Sequence, residues 1–271
     1  MYQCNFNTYK SVENMESARA NQMFSNAQCL PPGTPVRMRF LGLHGRYQCG
    51  FRFAEKLTGI KVPPPGSVSQ REINGKVLSF DRTGPYASAK LKTDTDLNLE
   101  IVSLDAPFEV EASIHLGSNG SVQRKARVSD SCTSRVWWRE QDEEETIAKS
   151  MGLVERFVND NGPFDGLLGF SQGGALANIV TSHHCSMFKL LVIISGYNKR
   201  NDKHCPTCNP HVRYVHIYGK NDKMVRPEQS LKMADELPGK VFHHDQGHVV
   251  PSIEWLWDTA LHSEYKLSKL N

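Results

Sequence analysis

The chain has 271 residues, 39% of them hydrophobic and 23% charged, with 32 Lys and Arg against 29 Asp and Glu for a formal net charge of +3. That length holds one large α/β core or two small ones. The near-neutral balance, with no basic cluster interleaved with aromatics, excludes an electrostatic case for nucleic acid.

No apolar run approaches the ~20 residues that cross a bilayer, and the polar first residues lack the apolar stretch of a secretory signal. Seven unevenly spaced cysteines do not form a disulfide framework. The expectation is a cytoplasmic protein with reduced thiols and neither a membrane nor a nucleic-acid partner.

Residues 1–35 have no sustained period and end in Pro31-Pro32-Gly33-Thr34-Pro35, which predicts a flexible tail ahead of one domain over 36–271. Residues 36–43 alternate and then run apolar, as an inner strand does, and stop at His44-Gly45. A second strand is predicted over 99–104. Between them, 63–96 carries three consecutive prolines and several glycines with little periodicity, which predicts an irregular insertion. Residues 109–135 read as similarly irregular.

Residues 143–159 place Ile147, Met151, Val154 and Val158 at helical spacing behind an acidic start. A short apolar strand over 164–169 runs into Ser171, and 175–183 continues as an apolar helix. Strands follow at 190–196 and 212–218, a helix at 227–237, a short strand at 240–242 and a final helix at 251–265 that starts at Pro251. Strands alternating with helices predict a mainly parallel sheet covered on both faces, three layers in all.

Gly169-Phe170-Ser171-Gln172-Gly173 matches the Gly-x-Ser-x-Gly nucleophile elbow of the α/β-hydrolase fold, with an apolar strand before it and an apolar helix after it. A serine hydroxyl is a weak nucleophile and needs a base beside it. In this fold an acid and then a histidine follow the serine, at the carboxyl ends of later strands. Asp222, just past the strand at 212–218, and His248, past the next one, meet that order. Asp202, also in a loop after a strand, is the alternative acid.

The amide of Gln172 opens the helix behind the serine, where it can stabilise developing negative charge. A second donor is expected from the His44-Gly45 turn. The amide of Arg46 is assigned to it, with Tyr47 as runner-up. His44 and Tyr47, flanking that turn, are candidate substrate-binding residues. Trp137 and Trp138 face opposite ways in extended chain, so one is free to line an acyl pocket, and Trp138 is assigned to it.

The sequence resembles the family serine hydrolases, a fungal and animal esterase group. The resemblance rests on Leu43-His44-Gly45 with Gln48-Cys49-Gly50, on Leu104-Asp105-Ala106-Pro107, and on Arg135-Val136-Trp137-Trp138. It continues through Phe164-Asp165-Gly166, the elbow, His216 to Asp222, and His244 to Pro251. It implies a hydrolase of carboxylic esters or of thioesters on acyl carriers, with Ser171, Asp222 and His248 as its triad. Gln246, Arg46 and the length of the 63–96 insertion depart from the family pattern.

Such chemistry needs no cofactor and no metal. The substrate expected is a small-molecule ester, or a thioester presented by CoA or an acyl carrier protein. A catalytically silent binding protein of the same fold is the competing class. His204-Cys205-Pro206-Thr207-Cys208 suggests zinc, but it lacks a second matching pair and reads as a surface loop.

Overall fold

The short, nearly continuous apolar runs of this sequence suit strands covered on both faces. The structure, a computed structural model, describes residues 36–93, 97–110, 115–116, 122–123, 133–184, 187–199 and 208–264. The expectations for 1–35, for most of 109–135, and for Asp202, His204 and Cys205 lie outside these residues.

Strand β1 (Val36–Leu43) is followed by helix α1 (Gly50–Thr58), then by β2 (Val68–Ile73), β3 (Lys76–Asp81), β4 (Ala87–Lys92) and β5 (Leu97–Leu104). Four two-residue strands come next: β6 (Phe108–Glu109), β7 (His115–Leu116), β8 (Val122–Gln123) and β9 (Arg135–Val136). Helix α2 (Glu143–Asn161), β10 (Gly166–Phe170), α3 (Gln172–His183), β11 (Leu190–Ile194) and β12 (Arg213–Gly219) follow. Helix α4 (Pro227–Glu236), β13 (Lys240–His244) and α5 (Ile253–Trp255), which continues as π-helix through Leu261, complete the described order.

Among the described residues one sheet has nine strands, in the order β13-β12-β11-β10-β1-β5-β4-β3-β2. Pairing is parallel from β13 to β5 and antiparallel from β5 to β2. Register aligns the carboxyl ends: Leu43 pairs with Gly169, Phe170 with Ile194, and Gly219 with His244. The loops after β1, β10, β12 and β13 therefore open on one edge, where α/β sheets place their chemistry.

Successive side chains of the inner strands enter opposite cores. Phe40, Leu168 and Val192 join Phe53 and Leu57 of α1 and Ile253, Leu256 and Trp257 near the C-terminus. Leu41, Leu167 and Leu191 join Ile147, Val154 and Phe157 of α2, Leu176 and Ile179 of α3, and Met233 of α4. The helices thus form two layers around the sheet, as the alternation of elements predicts.

The expectation of an irregular insertion over 63–96 is corrected. Three antiparallel strands of that stretch extend the sheet. Asn74 and Gly75 both take positive φ, 51° and 73°, in a two-residue hairpin turn between β2 and β3. Leu78, Phe80, Ala87, Ala89 and Leu91 are buried in the first core, while Lys90 and Lys92 point the other way. Their alternation is diluted by serines and lysines, so apolar periodicity alone does not reveal it.

The expectation of reduced thiols is corrected at Cys49, which is buried at the start of α1 and disulfide-bonded. No helix among the described residues is long and apolar enough to cross a membrane.

If the meander belongs to the folding core, Leu78→Ala lowers the unfolding free energy by about 2–5 kcal/mol in a urea titration. A loss below about 0.5 kcal/mol, the scale of surface substitutions, contradicts that integration.

Candidate active site

Ser171 stands between β10 and α3 with φ 53° and ψ −117°, a conformation that costs a non-glycine residue about 1–3 kcal/mol. Tight packing enforces it. A β-carbon on Gly173 would collide with the carbonyl oxygens of Leu43 and His44, and one on Gly169 with the carbonyl of Gly173. The first turn of α3 therefore abuts the end of β1. The Ser171 amide donates to the Ile194 carbonyl at 2.9 Å, fixing the bend to the next strand.

Asp222 follows β12 in a loop tied to the loop after β13. The Lys220 amide donates to His244 O at 2.9 Å and the Asn221 amide to Gln246 O at 3.2 Å. Asp222 is buried, and its Oδ1 accepts from the amides of Met224 (2.9 Å) and Val225 (3.0 Å). Its Oδ2 lies 2.7 Å from His248 Nδ1. Burial raises the Asp222 pKa, but the bonds from His248 and the two amides outweigh it and hold the carboxyl below its ordinary value.

An ionised carboxylate only accepts, so Nδ1 of His248 carries the proton. Nε2 is then left as an acceptor, 3.0 Å from Ser171 Oγ. The Phe170 ring, 4.7 Å from the His248 ring between centroids, backs the imidazole. His243 is exposed on β13, beside Tyr218.

The loop after β1 differs from expectation in two places. His44 is completely buried, so it does not line a substrate site. Its Nε2 accepts from the Ala106 amide at 3.0 Å. Nδ1 must then carry the proton, which it donates to the Gly45 carbonyl at 2.8 Å. Burial lowers its pKa to about 4. Tyr47, with φ 62°, is 48% exposed at the rim. Its amide donates to Arg135 O at 2.8 Å, which removes it as an alternative oxyanion donor.

The Arg46 amide donates to no backbone carbonyl among the described residues. Its guanidinium pairs with Glu140 at 2.9 Å and lies over the Tyr47 ring. The Gln172 amide, at the first position of α3, has no acceptor within its own helix. Trp138 is a buried core residue beside Trp137 rather than an open pocket wall. Three polar contacts of this pair went unforeseen in the sequence. The Trp137 indole donates to His44 O at 2.8 Å, the Trp137 amide to Gln172 Oε1 at 3.0 Å, and Gln172 Nε2 to Trp138 O at 3.2 Å. Cys208 is an exposed free thiol.

His44 carries a pH signature. Its pKa falls from 6.5 to about 4 on folding, so between those values the unfolded chain binds more protons than the native one. Stability is complete above pH 6.5 and is lost as pH falls toward 4, by on the order of 3 kcal/mol from this residue. His216 and His244, whose pKa values burial also lowers, add to that slope. Urea unfolding between pH 7 and 4 should show His44→Asn with a shallower slope than wild type. Equal slopes would contradict the assignment.

Comparison with known proteins gives the same direction. The family model described as Serine hydrolase (FSH1) matches residues 34–256. Esterase C25G4.2 of Caenorhabditis elegans is 31% identical over 144 residues, 45% of this chain and 65% of that protein. Esterase OVCA2 of Homo sapiens is 29% identical over 140 residues, 44% of this chain and 62% of that protein. The chain thus spans just under two thirds of either relative. Arabidopsis thaliana SOBER1 superposes with a TM-score of 0.52 at 15% identity, over 86% of this chain and 100% of that one, a likeness of fold. Sheet order, elbow and this likeness define an α/β-hydrolase fold. The family match takes in most of the chain and holds the elbow serine, the aspartate and the histidine within it, so the chain belongs to the FSH1 serine hydrolase family.

Proposed function

We propose that the chain hydrolyses carboxylic esters through an acyl-enzyme on Ser171, with His248 as base and acid and Asp222 as its orienting carboxylate. The observation that carries this reading is the run of two contacts, Asp222 Oδ2 to His248 Nδ1 at 2.7 Å and His248 Nε2 to Ser171 Oγ at 3.0 Å. Both lie within the reach that proton transfer requires.

In the first half-reaction Ser171 Oγ attacks the ester carbonyl carbon while its proton passes to His248 Nε2. The carbonyl oxygen becomes an oxyanion, met by the amides of Arg46 and Gln172. Collapse of the adduct breaks the carbon–oxygen bond to the alcohol, which leaves with the proton from His248. In the second half-reaction His248 takes a proton from water, the hydroxide adds to the acyl carbon, and Ser171 leaves with that proton. The products are one carboxylic acid and one alcohol. Asp222 stays ionised throughout, balancing the imidazolium that forms twice per cycle.

A thioester follows the same steps with a thiol as leaving group. The esterase names of the similar proteins favour the oxygen ester. A panel of p-nitrophenyl esters of rising chain length beside acyl-CoA thioesters measures that preference.

Three results test the reading. A fluorophosphonate probe labels wild type and leaves Ser171→Ala unlabelled. Asp222→Asn lowers kcat roughly 10⁴-fold by favouring the wrong imidazole tautomer. Turnover falls as the solution is acidified, because only neutral imidazole accepts the serine proton, whereas turnover that does not respond to acidification contradicts His248 as base. Labelling retained in Ser171→Ala would instead place the nucleophile elsewhere.

A further inference from the structure

We propose that the segment from Arg135 to Trp138, buried from Val136 on, is a brace that sets the spacing of the oxyanion hole, with Trp137 and the side chain of Gln172 as its positioning residues. The inference rests on the esterase reading. It assigns a role to side chains that neither attack, transfer protons nor meet substrate.

The two amides of the proposed hole come from separate pieces of chain, Arg46 from the loop after β1 and Gln172 from the elbow. Donors of this kind act only if they are in place before charge develops, about 2.7–3.1 Å from the oxyanion position. An error near 1 Å costs on the order of 100-fold in rate. Something must hold the two pieces in register.

The segment 135–138 bonds to both. On the side of the β1 loop, Arg135 accepts from the Tyr47 amide at 2.8 Å and donates its own amide to Gln48 O at 2.9 Å. The Trp137 indole then donates to His44 O at 2.8 Å, one peptide before Gly45. The His44 ring packs on that indole, 5.1 Å between centroids, and donates to the Gly45 carbonyl. On the elbow side, the Trp137 amide donates to Gln172 Oε1, and Gln172 Nε2 donates to Trp138 O. The Trp137 carbonyl in turn accepts from Ser150 Oγ, which anchors the segment to α2.

Trp137 and His44 are wholly buried and Gln172 nearly so. A polar network this deep is costly unless each member is paired, and it holds one arrangement when it is. Apolar packing would fill the same volume without fixing where the amides point.

The test uses a carboxyl in place of the Gln172 amide. Protonated, the side chain introduced by Gln172→Glu has one acceptor and one O–H donor and can satisfy both partners. Ionised, it only accepts and faces the Trp138 carbonyl. Burial raises its pKa into the working range. The full chain carrying Gln172→Glu should therefore show a bell-shaped kcat profile on a p-nitrophenyl ester. Its alkaline limb should fall about 10- to 100-fold below wild type, with KM within twofold and the wild-type profile rising to a plateau.

A second variant, Trp137→Phe, loses only the indole donor. It should lower kcat about tenfold with KM little changed, and it carries the test alone if Gln172→Glu does not fold. When combined, the two losses should be less than additive, as for groups in one network. Trp137→Phe with kcat within twofold of wild type, or a folded Gln172→Glu without an alkaline limb, overturns the brace. If wild type hydrolyses the ester in a Ser171-dependent way, that result leaves the esterase reading intact. Absence of Ser171-dependent hydrolysis overturns both.

Discussion

Gly173 lies so close to the end of β1 that a β-carbon on it would stand 2.3 Å from the Leu43 carbonyl oxygen and 2.5 Å from that of His44. There is no room for a side chain between the first turn of α3 and that strand, and this crowding forces Ser171 into its positive-φ bend. The other parts of the site are arranged around the contact. It brings the loop that carries Arg46 against the helix start that carries Gln172, and it lifts the serine hydroxyl toward the two loops on its other side. Strain at one residue is tolerated because a parallel sheet, buried on both faces, determines the backbone around it.

Opposite the elbow, His248 and Asp222 sit in loops that bond to one another through Lys220, Asn221, His244 and Gln246. The aspartate and the histidine therefore share one scaffold, and neither needs a helix or strand of its own. The carboxylate is kept ionised although it is buried, because two amides and the imidazole supply hydrogen bonds that water would otherwise give. His44 shows the opposite solution. It is also buried, but it stays neutral and spends its ring nitrogens on backbone groups, one of Gly45 in its own loop and one of Ala106 in the loop after β5.

Much of this was readable from the residues. The parallel strands declare themselves by continuous apolar runs such as Leu190–Ile194, and the elbow pattern between such a strand and a helix is specific enough to fix the fold. The chain order of serine, aspartate and histidine follows from where strands end. What the sequence hid depends on contacts between distant segments. Nothing local in Tyr47 says that its amide is engaged by Arg135, whereas the Arg46 amide has no backbone acceptor among the described residues. Nothing in His44 says that Trp137 and Ala106 will enclose it. The Asn74-Gly75 hairpin signal was present but stood behind three prolines in a stretch with few apolar residues. Helix α1 is nine residues long with only Phe53, Ala54 and Leu57 as its main buried apolar face, too little to stand out.

The antiparallel extension of the sheet also decides how its far side meets other molecules. It moves the open edge from β5, whose neighbours on both sides are now filled, to β2, where Gln70, Arg71 and Glu72 follow one another along the border. Charged, hydrated side chains on a border strand discourage another strand from adding to it. On this side the sheet thereby ends in a margin that resists lateral growth, several strands away from β10 and the serine that follows it.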